Sequence, residues 1–540
     1  MNRPKIRVEN LSGVNVSSFS TLKPTAAGSV RPFRILFVKP YQQTIDDTYG
    51  PPLGLLTLIS CVRQHFGSVA TIHFWDMKLY NEAPHTFSTR LEEYRPDIIA
   101  VSALNCEASA SYTISQLAKE WSPETITAIG GPFTLRQSNL IFNESSFDWI
   151  FEGAADRTFV QALERQFSNE PLGEDIAGFN HRDKKGVRTY NGQQDLITDL
   201  DSIPIPAWDM ADLERYRKRD RKRIITNINE RKYAYLFTSR GCPYLCNYCH
   251  DVFTKRFVYQ SKERVLEEIR ILHEEHGVTE IHIIDDIFNL HKPRAQAIMR
   301  AAAERWPGKL YFAFPNGLRG DILDQETIDC LVAGGTYVAV ISIETVTERL
   351  QTLVEKNLII EKAQWAIEEF ARQGVIARGA FMLGFPSETP EEIEQTIRYA
   401  IRSSLSTAAF AAVVPQNNTP IYDLAMNESP SATLTLAREE LDGGDYNSLE
   451  PWYSRAYGFD LHRKITIAYV RFYLHPPRMF RLLRHYGVIP VVQGSFFVIS
   501  RVWQALRGLL TKGKTPSSGK AEFNSGLNRP TSTGHNKLDQ

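Results

Sequence analysis

The chain has 540 residues, with 62 Lys+Arg against 62 Asp+Glu, 43% hydrophobic residues and 23% charged ones. That length exceeds one ordinary core, so a globular chain with two or three domains is expected. The balanced charge leaves no electrostatic footprint for nucleic acid, and no nucleic-acid partner is expected.

Residues 1–33 mix Ser, Thr and Val without an apolar signal segment and read as a disordered leader. Strand patterns then fall at Ile35–Val38, Ala70–Trp75, Asp97–Ser102, Ile126–Ile129 and Trp149–Phe151. Helical patterns separate them, ending at Val62, around Thr86–Tyr94 and near Ser109–Trp121. This alternation predicts an α/β fold with a doubly wound, Rossmann-like parallel sheet. Such sheets bind ligands beyond the carboxyl ends of their strands. Those ends hold Pro52, Leu53 and Gly54, then Ser102, then Gly130, Gly131 and Pro132, then Glu152 and Gly153. Glycines there let backbone approach a ligand closely. The Pro51-Pro52-Leu53-Gly54-Leu55, Gly130-Gly131-Pro132 and Glu152-Gly153 segments resemble the cobalamin-binding domain that precedes many radical SAM enzymes. The resemblance covers residues 34–166 of a domain expected at 34–170, and implies that these strand-end residues contact cobalamin. The D-x-H-x-x-G motif that supplies the lower cobalt ligand in methionine-synthase-type domains is missing. His73, on the second strand, is no substitute. Cobalamin bound here would have its base tail detached and no histidine from that motif. The plain alternative is a Rossmann-like domain that binds no cofactor or contacts substrate.

Residues 171–232 read as a connector, interrupted by Pro204 and Pro206, whose apolar residues suggest packing between domains. The basic run Arg215–Arg223 reads as a solvated face or as a steering patch. Strand Ala234–Thr238 then delivers Arg240-Gly241-Cys242-Pro243-Tyr244-Leu245-Cys246-Asn247-Tyr248-Cys249-His250. Cys242, Cys246 and Cys249 can hold one face of a cubane iron–sulfur cluster, leaving one iron open. Structural zinc prefers paired C-x2-C ligands, four in all. Three cysteines cannot all pair as disulfides, and no secretion signal precedes them. Cys61, Cys106 and Cys330 are scattered and read as small buried hydrophobes. Free thiols and a cluster point to a reducing compartment, the cytoplasm.

Ser261 caps a helix with Val265, Leu266, Ile269 and Leu272 on one face, ended by Gly277. Strands follow at Glu280–Ile284, Leu310–Phe314, Tyr337–Glu344 and Val375–Gly384, and Thr389 opens a capping box. The repetition predicts a partial (β/α) barrel over 233–425, with its site at the strand carboxyl ends. Pro415–Pro420 reads as a substrate-facing loop by position.

The cysteine spacing, with an aromatic residue before the third cysteine, resembles the radical SAM superfamily. The resemblance implies a 4Fe-4S cluster whose open iron binds S-adenosylmethionine, cleaved on reduction to a 5′-deoxyadenosyl radical. It implies that Asp285 or Asp286 meets the methionyl amine, although the literal Gly-Gly-Glu-like motif is absent and the choice between them is open. It places Ser342 and Glu344 at the ribose or carboxylate end and Arg378 at the cofactor carboxylate. Leu383, within Met382–Pro386, and Tyr248 would enclose the adenine. Together with the first domain it implies a cobalamin-dependent methylation of an unactivated carbon in an organic substrate. The electron donor would be a ferredoxin or flavodoxin. A non-methylating cyclase of the tetrapyrrole type has the same domain order and is the first alternative. A corrinoid- or cluster-binding sensor without turnover is the second.

Residues 426–510 read as a helical C-terminal region, with helices over Leu461–Leu474 and Met479–His485 broken at His475 before Pro476-Pro477. The apolar stripe within 494–514 has basic neighbours and either packs on the barrel or lies on a membrane surface. Residues 511–540 read as a disordered tail.

Overall fold

The computed structural model describes residues 30–41, 50–192, 194, 196–219, 231–249, 252–253, 255–415, 419–428 and 461–486. The leader through residue 29, the segment 494–514 and the tail lie outside the described residues.

Strands β1 (Phe33–Lys39), β2 (Ala70–Asp76), β3 (Ile98–Ser102), β4 (Ile126–Gly130) and β5 (Trp149–Phe151) pair in parallel in the order β2-β1-β3-β4-β5. The order reverses beside β1, as in a doubly wound sheet. Ile35 and Phe37 join one apolar cluster, and Leu36 and Val38 join the other. Both faces of β1 are therefore covered, which explains its unbroken apolar run.

The sheet continues past β5. Strands β6 (Phe179–Arg182) and β7 (Arg188–Thr189) extend it antiparallel, inside the stretch read as a connector. Asn180, His181 and Arg182 gave no strand signal because their side chains serve specific polar partners. Asn180, for example, is buried and donates to Ser138 Oγ at 2.9 Å.

The second sheet starts at β8 (Tyr233–Leu236). The short strands β9 (Ser239–Arg240) and β10 (Val258–Tyr259) form a separate antiparallel ladder. Strands β11 (Glu280–Ile283), β12 (Tyr311–Leu318), β13 (Thr336–Glu344), β14 (Ile376–Leu383) and β15 (Thr407–Ala412) follow β8 around an all-parallel arc of six strands. This is the partial barrel. Its last strand, Thr-Ala-Ala-Phe-Ala-Ala, is too alanine-rich to be distinguished by pattern. It is fixed by six residue pairs to β14 and by helix Leu461–Tyr473. That helix also closes the sheet edge. The Tyr469 hydroxyl accepts from the Phe410 amide at 3.0 Å, and the Tyr473 hydroxyl both accepts from and donates to the Ala408 backbone. Edge groups that could template another strand are thereby occupied. A second helix, Pro476–Tyr486, starts after the break at Leu474-His475.

One apolar cluster runs from the first sheet into the second. Trp208, from the connector, is buried, and its indole N–H donates to Glu268 at 3.2 Å. Gly50 lies so close to β8 that an added Cβ would sit 1.8 Å from the Tyr235 ring. Among the described residues, no helix is long and apolar enough to cross a membrane.

Candidate active site

The cysteine loop leaves the barrel at β9 and returns at β10, so the β9–β10 ladder closes its base. Gly241, at φ +84°, makes the turn into Cys242 in a conformation that favours glycine. Asn247 anchors the middle of the loop. Its backbone N–H donates to Val354 O at 3.1 Å and its side chain to Leu353 O at 2.8 Å. These carbonyls end helix Glu348–Leu353 and would otherwise lack donors. The Arg319 guanidinium stacks 3.7 Å from the Tyr244 ring centroid. The loop is thus held at both ends and in the middle before any ligand binds.

Burial raises the Cys242 thiol pKa. Cys249 is exposed on the cavity side, and desolvation by the protein behind it, with Cys246 beside it, pushes its thiol up to about 12. Ionising these thiols calls for a cationic ligand such as iron. Among the described residues, no three His, Cys, Asp or Glu side chains converge on a point for a single metal ion. The donor set fits a cluster, whose separate iron corners each take one thiolate.

The cavity, about 660 Å³, lies between the barrel and the first sheet. Cys249, Asp286 and Asn316 contribute from the barrel side. Leu53, Gly54, Ser102, Gly130, Gly131, Pro132 and Gly153 contribute from the first-sheet side. Thr419 and Pro420, from the loop read as substrate-facing, also line it. The wall is small-residued where a large flat ligand would lie. A Cβ at Gly54 would meet nothing within 4 Å. Gly131 serves the fold instead: at φ +93° its Cβ would fall 2.7 Å from Ala103 O. Among the described lining residues there is no histidine. His73 stacks on Tyr94 at 4.2 Å. The glycine-lined strand ends of the first domain leave room for a corrin.

Asp285 and Asp286 have different surroundings. Asp285 is buried and accepts from Thr238 N at 2.6 Å, from Thr238 Oγ1, and from Ser239 Oγ at 2.6 Å. Its carboxylate ties β11 to the chain entering the cysteine loop, so it does not reach a ligand. Asp286 is half-buried on the cavity wall. Glu344, at the end of β13, has φ +66°, an uncommon conformation for a residue with a side chain. Its carboxylate pairs with Lys356 at 3.1 Å, and the same ammonium lies 3.2 Å from the Tyr248 hydroxyl. Burial, with Glu344 nearby, raises the Tyr248 pKa well above its ordinary value. Ser342 lies opposite Gly317, where a Cβ would come within 2.5 Å of its hydroxyl.

Four expected residues stand elsewhere. Leu383 is fully buried in the main core, because its neighbour Met382 takes the face toward Tyr248 and Phe385. Arg378 pairs in register with Val340, two residues deeper in the barrel than Ser342, and its charge is felt by Tyr473. Glu152 turns from the cavity to accept from Ser138 and Asn180. Pro52 precedes helix Leu53–Phe66 as its N-cap and does not line the cavity.

Four residues gave no advance signal as site components: Asn247, Lys356 and the paired Arg240 and Asp156. Arg240 Nη1 and Nη2 meet the Asp156 carboxylate at 2.9 and 3.2 Å, and both residues line the cavity. The pair joins the first domain to the residue just before Gly241-Cys242. Position beside the two motifs was the available clue.

Beyond β14, Glu388 folds back so that one oxygen accepts from Gly384 N and Phe385 N. Its other oxygen has no protein partner. Burial pushes its carboxyl up to about 8. The folded chain keeps this proton while the unfolded chain loses it near pH 4.5. Stability therefore falls as pH rises from about 4.5 to about 8. Glu388→Gln is expected to match the native chain near pH 5 and to exceed it by a few kcal/mol, on the order of 2–4, near pH 8. Denaturant midpoints across that window check this; parallel pH profiles would refute it.

Residues 236–400 match the family model of the radical SAM superfamily. The chain is 27% identical to an uncharacterized methyltransferase of Pyrococcus horikoshii, over 88% of this chain and 98% of that one. It is 26% identical to a cytidylyl-2-hydroxyethylphosphonate methyltransferase of Streptomyces wedmorensis, over 60% and 66%. An anaerobic magnesium-protoporphyrin IX monomethyl ester cyclase of Rubrivivax gelatinosus is 22% identical over 71% and 68%. Among solved structures, the cobalamin-dependent S-adenosylmethionine radical enzyme OxsB, with aqua-cobalamin and S-adenosylmethionine bound, aligns with a TM-score of 0.62. That match has 14% identity and covers 90% of this chain and 82% of the other. The radical S-adenosylmethionine methyltransferase TsrM of Kitasatospora setae, with cobalamin and a 4Fe-4S cluster bound, aligns with a TM-score of 0.58 at 16% identity, covering 74% and 75%. These superpositions establish a shared fold.

Proposed function

We propose, from the match of residues 236–400 to the radical SAM family model, that this chain is a cobalamin-dependent radical SAM enzyme that methylates an unactivated carbon. The observation that carries the reading is the single cavity with Cys249 and Asp286 on one wall and the glycine-lined strand ends of the first sheet on the other. Bound there, the cluster, S-adenosylmethionine and cobalamin would supply a one-electron reductant, a hydrogen-abstracting group and a methyl donor. The chain's own part is positioning. Cys242, Cys246 and Cys249 hold the cluster on a loop already pinned by Asn247. Asp286 offers a carboxylate to the methionyl ammonium. Tyr248, Met382 and Phe385 form an apolar surface for the adenine. Lys356 and Glu344 fix the Tyr248 hydroxyl. Arg240 and Asp156 keep the two walls in register. The donor of electrons would be a ferredoxin or flavodoxin.

The test is to produce the full chain with cobalamin, purify it without oxygen, and measure corrinoid, iron and products. Near-stoichiometric corrinoid, S-adenosylhomocysteine and a substrate heavier by one CH2 unit are expected. Intact cluster with no corrinoid would overturn the reading and assign the first domain to substrate. The cyclase relatives favour one second reading, in which product forms without that mass gain. Corrinoid binding without any release of 5′-deoxyadenosine would instead indicate a sensor.

A further inference from the structure

We infer that Arg378 and Thr407, deep on the inner face of the partial barrel, bind an anionic group, a carboxylate or phosphate, at the far end of the substrate. The inference deepens the proposed methylation and rests on it for the reacting carbon. Strand alternation sets the face. On β14, Ala377, Phe381 and Leu383 join the main core. Ile376 and Ala380 join the small cluster inside the barrel, and Met382 turns toward Tyr248. Arg378 therefore points inward with Ile376, Ala380 and Met382. On β15, Ala408 and Phe410 join the main core, so Thr407, Ala409 and Ala411 point inward. The register pairs Arg378 with Thr407, Ala380 with Ala409 and Met382 with Ala411.

Both polar groups are open to a ligand. Among the described residues, no hydrogen bond, ion pair or ring contact holds the half-buried Arg378 guanidinium. Thr407 is 3% exposed, and its Oγ1 is buried without a hydrogen-bond partner. The Tyr473 hydroxyl, bonded to the Ala408 backbone, feels the Arg378 charge, which directs the guanidinium toward β15. A buried hydroxyl and a half-buried cation left side by side are costly unless one ligand answers both. A neutral ligand would satisfy the hydroxyl alone. A carboxylate or phosphate accepts from both groups and matches the planar guanidinium. The next layer toward the cofactor end, Ala380 and Ala409, presents only methyl groups and is half-buried, which leaves a lane for a narrow chain. The strand from Arg378 to Met382 spans roughly 13 Å. The anion is thus held well away from the reacting carbon, and the site selects a substrate by its length and its end group.

Calorimetry without oxygen on the full, cluster-loaded chain tests this, with hexanoate, hexyl phosphate and neutral hexanol as probes. At least one of the two anions is expected to bind, and the tighter one identifies the end group. Hexanol is expected to bind about tenfold more weakly or worse; equal affinity would remove charge from the recognition and overturn the inference. Arg378→Gln is expected to weaken anion binding roughly 10- to 100-fold. Thr407→Val should weaken it about fivefold, and Arg378→Lys should recover part of the loss seen with Gln. Iron per chain and affinity for S-adenosylmethionine should stay native in all three variants, and thermal midpoints should not fall. No binding of either anion to the native chain, or equal binding by Arg378→Gln, would also overturn the inference. So would a loss of S-adenosylmethionine affinity in Arg378→Gln, since that assigns the guanidinium to the cofactor carboxylate. Anion binding that depends on Arg378 in a chain unable to bind corrinoid would leave the site standing and sink the methylation reading alone.

Discussion

Asp285→Ala is expected to lower folding stability by about 3–5 kcal/mol, whereas Asp286→Ala is expected to lower it clearly less. The difference follows from where each carboxylate goes. Removing Asp285 leaves the Thr238 amide, the Thr238 hydroxyl and the Ser239 hydroxyl without their acceptor in a buried place. It also leaves buried Arg294, whose charge lies near Asp285, without its counter-ion. Three net hydrogen bonds at about 1 kcal/mol each, plus an unpaired buried charge, account for the size. Asp286 lies on the cavity wall, so its loss should appear in ligand binding. One charged hydrogen bond to an ammonium is worth about 1.5–3 kcal/mol, or roughly 10- to 150-fold in the dissociation constant for S-adenosylmethionine. Guanidinium unfolding and equilibrium binding, both without oxygen, separate the roles. A stable Asp285→Ala chain that no longer binds S-adenosylmethionine would reverse the assignment.

Arg478→Met is the second substitution expected to have a large effect. Arg478 is fully buried, and the bonds that hold it go to backbone carbonyls. Its Nε donates to Leu405 O at 2.9 Å and Nη1 to Phe472 O at 2.8 Å. Nη2 reaches Ala400, Ile401 and Ser403 O at 3.0–3.1 Å. The first two of these end helix Pro390–Arg402, whose carboxyl end carries partial negative charge. The guanidinium also stacks 3.5 Å from the Phe472 ring centroid. One side chain therefore gathers three segments: the barrel helix, the approach to β15, and the first C-terminal helix. Burial lowers its pKa to about 9, which leaves it charged at neutral pH. Methionine keeps much of the volume and abandons the carbonyls, for a loss of about 3–5 kcal/mol. Arg478→Lys keeps the charge but not the planar fork, and should recover only part of that loss. Thermal unfolding of the three chains orders them as native, Lys, Met. Equal midpoints for native and Met would mean that the carbonyls find other donors.

The parts of the site that depend on short sequence distance were legible. Three cysteines within eight residues stay together wherever the loop goes. Apolar runs such as Ile35–Val38 announce strands covered on both faces. Residues whose role depends on long-range partners were not legible. Asp285 and Asp286 are adjacent and chemically alike, and only Thr238 and Ser239 distinguish them. Leu383 and Met382 exchange roles through a single step of strand alternation, which a motif match does not resolve. Glu152 seemed free for a ligand until Ser138 and Asn180 arrived from distant segments. Lys356 follows helix Glu348–Leu353 without any motif, yet it links Glu344 to Tyr248. β15 escaped because alanine carries no strand preference, and its partner tyrosines lie some 60 residues later.

The cavity takes its wall from both domains, the larger share from the first, and this bears on how such chains can diversify. A leading domain exchanged between relatives would take one side of the reaction chamber with it. The incoming domain would also have to supply an acid for Arg240 and a residue no larger than glycine against Tyr235. The two halves are therefore heritable only as a matched pair, and new substrate scope has to arise through paired changes on both sides of the seam.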